Sequence, residues 1–150
     1  MMETNESYLE SVKKQFLYYK MLGEKAIDQL EPQQLFITLN EDTNSIATII
    51  KHISGNMLSR WTDFLTSDGE KEWRNRDAEF ENDLQSKEEV LEIWSKGWNT
   101  FFDALNNLKP EQLSDIILFG MKAIRLLKLL IDNWRIIRII SGRLFFMRNN

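Results

Sequence analysis

The 150-residue chain carries a single histidine, His52, in the run IIKHISGNMLSRW. A neutral imidazole can bind a metal ion or carry a proton near neutral pH. At about 100° per residue, the apolar face of a helix through this run centres near Ile53. His52 then lies on the flank of that face, together with Ser45, Asn56, Ser59 and Asp63. A polar flank beside a core face can point into a groove between helices, with Asn56 and Trp61 as further groove residues. A hydrogen-bonded surface histidine is the plainer alternative.

Other groupings with chemical potential are weaker. Asp77, Glu79, Glu81 and Asp83 could hold a hard cation, but their spacing fits no cation-binding loop, so they read as solvated charge. Ser54 and Ser59 lack a base and an orienting group beyond His52. Gly55 and Gly69 are isolated, so there is no phosphate-cradling loop. In the run WRNRD, Arg74 and Arg76 beside Trp73 could cap a groove or bind an anion. Pairing with a neighbouring ring or acid, to hold the loop, is the alternative use.

The elements that must position these residues follow from periodicity. A first helix is predicted from about Asn5 to Leu30, with Leu9, Val12, Phe16, Tyr19, Ala26 and Leu30 on one stripe and Gly23 at the missing step. Glu31-Pro32 ends it. A second helix is predicted to begin near Asn44 or Ser45, either able to cap it. Ile46, Ile49, Ile50, Ile53, Met57, Trp61 and Phe64 form its apolar face, and it ends near the turn signal Ser67-Asp68-Gly69. EKEWRNRDAEFENDLQ reads as a long connection pinned by Trp73 and Phe80, and loops of that length are often functional. A third helix opens at Ser86 with a capping box to Glu89. It runs through Leu91, Trp94, Trp98, Phe101, Leu105 and Leu108 to Lys109-Pro110. Three helices with one apolar face each need a fourth to close a core. The expectation is therefore an all-α, single-domain chain (residues 1–150), folded as an antiparallel four-helix bundle with a long loop between helices 2 and 3.

Composition narrows the function classes. There is no cysteine, which excludes disulfides, thiolate zinc sites and a cysteine nucleophile. No secretory leader or membrane-spanning run is read, so a cytoplasmic protein is expected. The acidic body argues against nucleic acid. Charge is unevenly distributed: residues 121–150 hold seven Lys/Arg and one acid, Asp132, for a net +6, against −10 in the first 120. That last segment is apolar at 17 of 30 positions, with Leu, Ile and Arg on every face of a helical wheel. It reads as a deeply buried, atypical last helix over 116–150, or as a basic membrane-surface helix whose apolar residues are not segregated as such a helix requires.

The blocks NSIATIIKHISGNMLSRW and WRNRDAEF, followed by EIWSKGWNTFFDALNNL, resemble the DinB-like four-helix-bundle superfamily, nearest to a bacillar branch of it. The likeness covers residues from about 5 to 115. It implies a divalent metal, zinc or nickel, held by three histidines. One matches His52; the other two belong to an H-x-x-x-H pattern on the last helix. It also implies thiol-transferase-like chemistry on a small-molecule thiol, and homodimers. The histidine pair does not occur in this chain.

A shifted reading frame accounts for the loss. If each codon takes the third base of one residue and the first two of the next, isoleucine codons yield codons ending in AT. The run Ile136 to Ile140 then permits HYPYH, and Ser141 to Phe145 permits GQIV. The hypothesis is that the chain is out of frame from roughly Ile116 or Ile117, through a natural frameshift or a sequencing error, with metal binding weak or absent and the enzyme impaired. The alternative is a non-catalytic dimeric helical scaffold, or a small-ligand-binding protein.

Overall fold

The computed structural model describes residues 2–38, 40–41, 43–114, 116–119 and 122–125. Its α-helices are α1 (Met2–Asp28), α2 (Ile46–Trp61), the one-turn α3 (Arg76–Glu79) and α4 (Lys87–Asn107). Short 3-10 turns follow at Pro32–Phe36 and Pro110–Ser114. Each turn opens on a proline, which fixes φ and needs no amide partner at a first helical position. Ser45 caps α2 by accepting from the Thr48 amide, and Ser86 caps α4 by accepting from the Glu89 amide. The expected capping box is displaced by one residue: Glu89 accepts from the Gln85 amide instead of that of Ser86.

The core is the shared stripe of α1, α2 and α4. Leu9, Phe16, Ala26 and Leu30 from α1 and its C-terminal end meet Trp94, Trp98, Phe101 and Leu105 from α4. Ile46, Ile50, Ile53, Met57 and Trp61 of α2 close the other side. Phe101 sits at the junction, edge-on to Phe16 at 4.5 Å and to Trp61 at 5.0 Å between ring centroids. Edge-to-face pairs of this kind suit the aromatic quadrupole.

Helix directions depart from a simple alternating bundle. Phe16 meets Phe101, Gly23 lies under Trp94, and Lys87 Nζ donates to the Leu30 carbonyl, so α1 and α4 are antiparallel. By contrast Ser54 meets Gly97 and Trp61 meets Phe101, so α2 and α4 run the same way. The long connection between them is the physical reason: it carries the chain back along the molecule before α4 starts.

Gly97 sets how closely that parallel pair packs. A methyl built there would sit 2.9 Å from Ser54 Cα, which is backbone and cannot swing aside. Gly97→Ala gains helix propensity of about 1 kcal/mol. The clash should outweigh this gain, since overpacking costs typically about 1–3 kcal/mol and the methyl would press on backbone. A net loss of stability in urea unfolding is expected; a neutral or more stable variant would show that the helices separate freely.

After Ser114 the chain departs from the expected last helix. Ile116–Phe119 pairs antiparallel with Lys122–Arg125, in a register that sets Ile117 against Ile124. The segment lacks the 3.6-residue alternation that would favour a helix, and short runs rich in apolar and β-branched residues can serve as strands. The remainder of the expected fourth helix, from residue 126, lies outside the described residues.

Candidate functional site

The polar flank of α2 is covered by the connection between α2 and α4. α2 ends with the Thr62 amide bonded to the Leu58 carbonyl. The chain then turns through Asp63, which takes a left-handed φ of 48°, a conformation aspartate tolerates better than most residues. The Asp63 carbonyl accepts from the Thr66 and Ser67 amides. From Gly69 onward the chain runs back along α2 as a strap. Ser59 Oγ donates to the Gly69 carbonyl and accepts from the Lys71 amide. Lys51 Nζ donates to the Ala78 and Glu81 carbonyls and to Asp83 Oδ1. Ser45 Oγ donates to Asn82 Oδ1, and Asn82 Nδ2 donates to the Phe36 carbonyl. Buried Ser45 and Ser59 on a helix face are thus satisfied by the strap, as buried polar groups generally must be.

His52 lies at the middle of this seam. Asn75 caps α3 by accepting from the Ala78 amide, and this single turn delivers Glu79 onto α2. Glu79 Oε1 lies 3.0 Å from His52 Nδ1. Arg74 grips the same carboxylate with two donors: Nε to Oε2 at 2.9 Å and Nη2 to Oε1 at 3.0 Å. The Arg74 side chain is 4% exposed and that of Glu79 10%, so the pair is buried; His52 is 32% exposed. Its ring also lies 5.0 Å from that of Phe80, tilted by 33°.

Gly55 makes the approach possible. It stands one turn after His52 on the same face, and a methyl there would overlap Glu79 Oε2. Arg74 Nη1 is buried with no hydrogen-bond partner among the described residues. An unmet buried donor costs roughly 1–3 kcal/mol, which the two-pronged bond to Glu79 must offset.

The sequence-derived candidates separate into three places. His52 and Arg74 come together through Glu79. Asn56 is buried on the same side of α2. Trp61 stands nine residues along the helix, about 13 Å from His52 by helical rise. It is 2% exposed, packed on Phe64 and Phe101. Its neighbourhood borders a separate open cavity of about 540 Å³ with Asp63, Thr100, Asp103 and Asn107. Arg76 is exposed and pairs with Glu70 at 2.8 Å. Both lie along a cavity of about 620 Å³ with Lys71, Glu72, Trp73, Asp77 and also Arg74. Its basic and acidic side chains balance, so it exerts no strong field on an anion. Burial pushes the Lys71 ammonium pKa down, with Asp63 and Asp68 acting the other way. Lys51 holds the Asp83 carboxyl below the usual range through its hydrogen bond.

Two expectations about the loop change. Trp73 is 60% exposed and Phe80 about half exposed, so neither anchors it by burial; the polar bonds of Arg74, Lys51 and Asn82 do. Glu79, read from sequence as solvated charge, is the group that joins the loop to His52. The available signal was Gly55, a small residue one turn from the histidine on its own helix face.

A three-histidine metal centre would find one ligand here. Among the described residues no group of three His, Cys, Asp or Glu is placed to hold a metal ion. The donor chemistry fits one corner of such a site, because metal-binding imidazoles characteristically give their other N–H to a carboxylate. The residues described do not complete it. No helix among them is long and apolar enough to cross a membrane.

No curated protein matches the chain. A family model described as "Protein of unknown function (DUF1572)" matches residues 3–130, most of its length, and the chain belongs to that family.

Proposed function

We propose that this is a DinB-like bundle protein built for divalent-metal, thiol-transferase-type chemistry, with His52 as one metal ligand. As written, it lacks the other two histidines and does not complete that chemistry. The observation that supports the reading is the chain of contacts His52–Glu79–Arg74, which occupies Nδ1 and leaves Nε2 without a described partner. A zinc or nickel ion bound in such a site would supply a Lewis acid able to hold a thiol as thiolate. The chain's own contribution is to fix the imidazole against α2 and to shield its carboxylate from water beneath the strap. The missing pair is assigned to an alternative frame of the coding DNA, in which the codons of Ile136 to Ile140 would permit HYPYH.

The test is zinc and nickel titration of three purified proteins: this chain, its His52→Ala variant, and the chain translated after the single-base shift. The re-read chain is expected to bind at least about ten-fold more tightly, the scale on which metal affinity responds to its supporting groups. Binding by this chain should vanish in His52→Ala. Measurable binding that is equal with and without His52, no binding by the re-read chain, or coding DNA that no single-base shift converts to the histidine pair would each overturn the proposal.

A further inference from the structure

We infer that Glu79 and Arg74 are positioning residues that lock His52 in its Nδ1–H tautomer, leaving Nε2 as the unprotonated, ligand-ready nitrogen. The inference deepens the reading of His52 as a ligand and rests on it for its functional meaning.

The tautomer follows from donor and acceptor inventory. Arg74 has only donors, so both oxygens of Glu79 accept from it. The oxygen that faces His52 therefore acts as an acceptor, and at 3.0 Å its partner Nδ1 must carry the proton. A neutral imidazole carries one proton, so Nε2 keeps its lone pair. The fork of two bonds from a buried guanidinium also fixes the plane of the carboxylate, and with it the direction of the ring. Gly55 holds open the space that Glu79 fills, and Phe80 limits the ring on another side. Three elements therefore meet at one nitrogen: α2 provides the imidazole, α3 the carboxylate, and the strap before α3 the guanidinium.

The experiment uses metal-free protein, isotope-labelled at histidine, with nitrogen–proton correlation spectra recorded at about pH 8, above the ordinary imidazole range. His52 is the only imidazole, so its signals need no assignment. The wild-type spectrum is expected to show predominantly Nδ1–H. Glu79→Gln, which replaces one acceptor oxygen with a donor, should cut that share to a minority. Arg74→Lys keeps the charge but loses the fork and should fall between. A wild-type spectrum dominated by Nε2–H, or an even mixture, overturns the inference, and so does a folded Glu79→Gln protein with an unchanged spectrum. Should Glu79→Gln fail to fold, the wild-type spectrum alone decides. Metal titration reports separately: a locked Nδ1–H form that binds no metal sinks the functional reading and spares this one. Metal binding by an Nε2–H protein does the reverse.

Discussion

Glu79→Ala is expected to destabilise the protein by about 3 kcal/mol or more, the lower end of what breaking a buried ion pair by removing one partner costs. Arg74 is the reason. Its guanidinium is almost fully buried and both of its bonded nitrogens depend on Glu79. Without the carboxylate, a positive charge that cannot lose its proton is stranded against α2. The double change Arg74→Met with Glu79→Leu removes both charges and should lose much less than the two single changes together. Urea unfolding of the wild type, Arg74→Met, Glu79→Leu and the double variant gives the coupling energy directly. If Glu79→Ala costs under about 1 kcal/mol, the strap is solvated and mobile in solution, and the orientation of His52 loses its basis.

Trp61→Ala is expected to cost about 3–5 kcal/mol, the range for deleting a large buried aromatic ring. The ring is 2% exposed and makes centroid contacts at 5.2 Å with Phe64 and 5.0 Å with Phe101. Phe101 in turn touches Phe16 and Trp98, so the loss is felt by all three long helices. Trp61→Phe should recover much of the stability, because the indole Nε1 has no hydrogen-bond partner to lose among the described residues. Thermal unfolding of both variants separates a core residue from a ligand-contacting one. A ligand role would predict a stable Trp61→Ala protein; a core role predicts the reverse order.

How much of this was legible in the sequence depends on the range of each interaction. α2 and α4 could be read with their caps, because Ser45 and Ser86 act on amides three residues away and the apolar stripes repeat within each helix. The flank position of His52 was legible for the same reason. Glu79 was not, since its partner lies 27 residues earlier and its immediate neighbours Asp77 and Glu81 are exposed. Arg74 was recognised as a loop-holding residue, but not which acid it would hold. The shared direction of α2 and α4 was hidden as well, because periodicity describes one helix at a time and carries no information on the sense of its neighbour. The hairpin at 116–125 escaped because unbroken apolar runs have no period that separates strand from helix.

The parallel course of α2 and α4 has a consequence for how such a site can arise. α2 has 16 residues, about 24 Å of helix. Fully extended chain would cover that return in about seven residues, yet 25 separate Trp61 from Lys87. The topology obliges the chain to make the return journey, and the surplus length lets it bend inward and lay a carboxylate beside the imidazole. The second side of the His52 seam is therefore the detour itself, built without an added domain or a second chain.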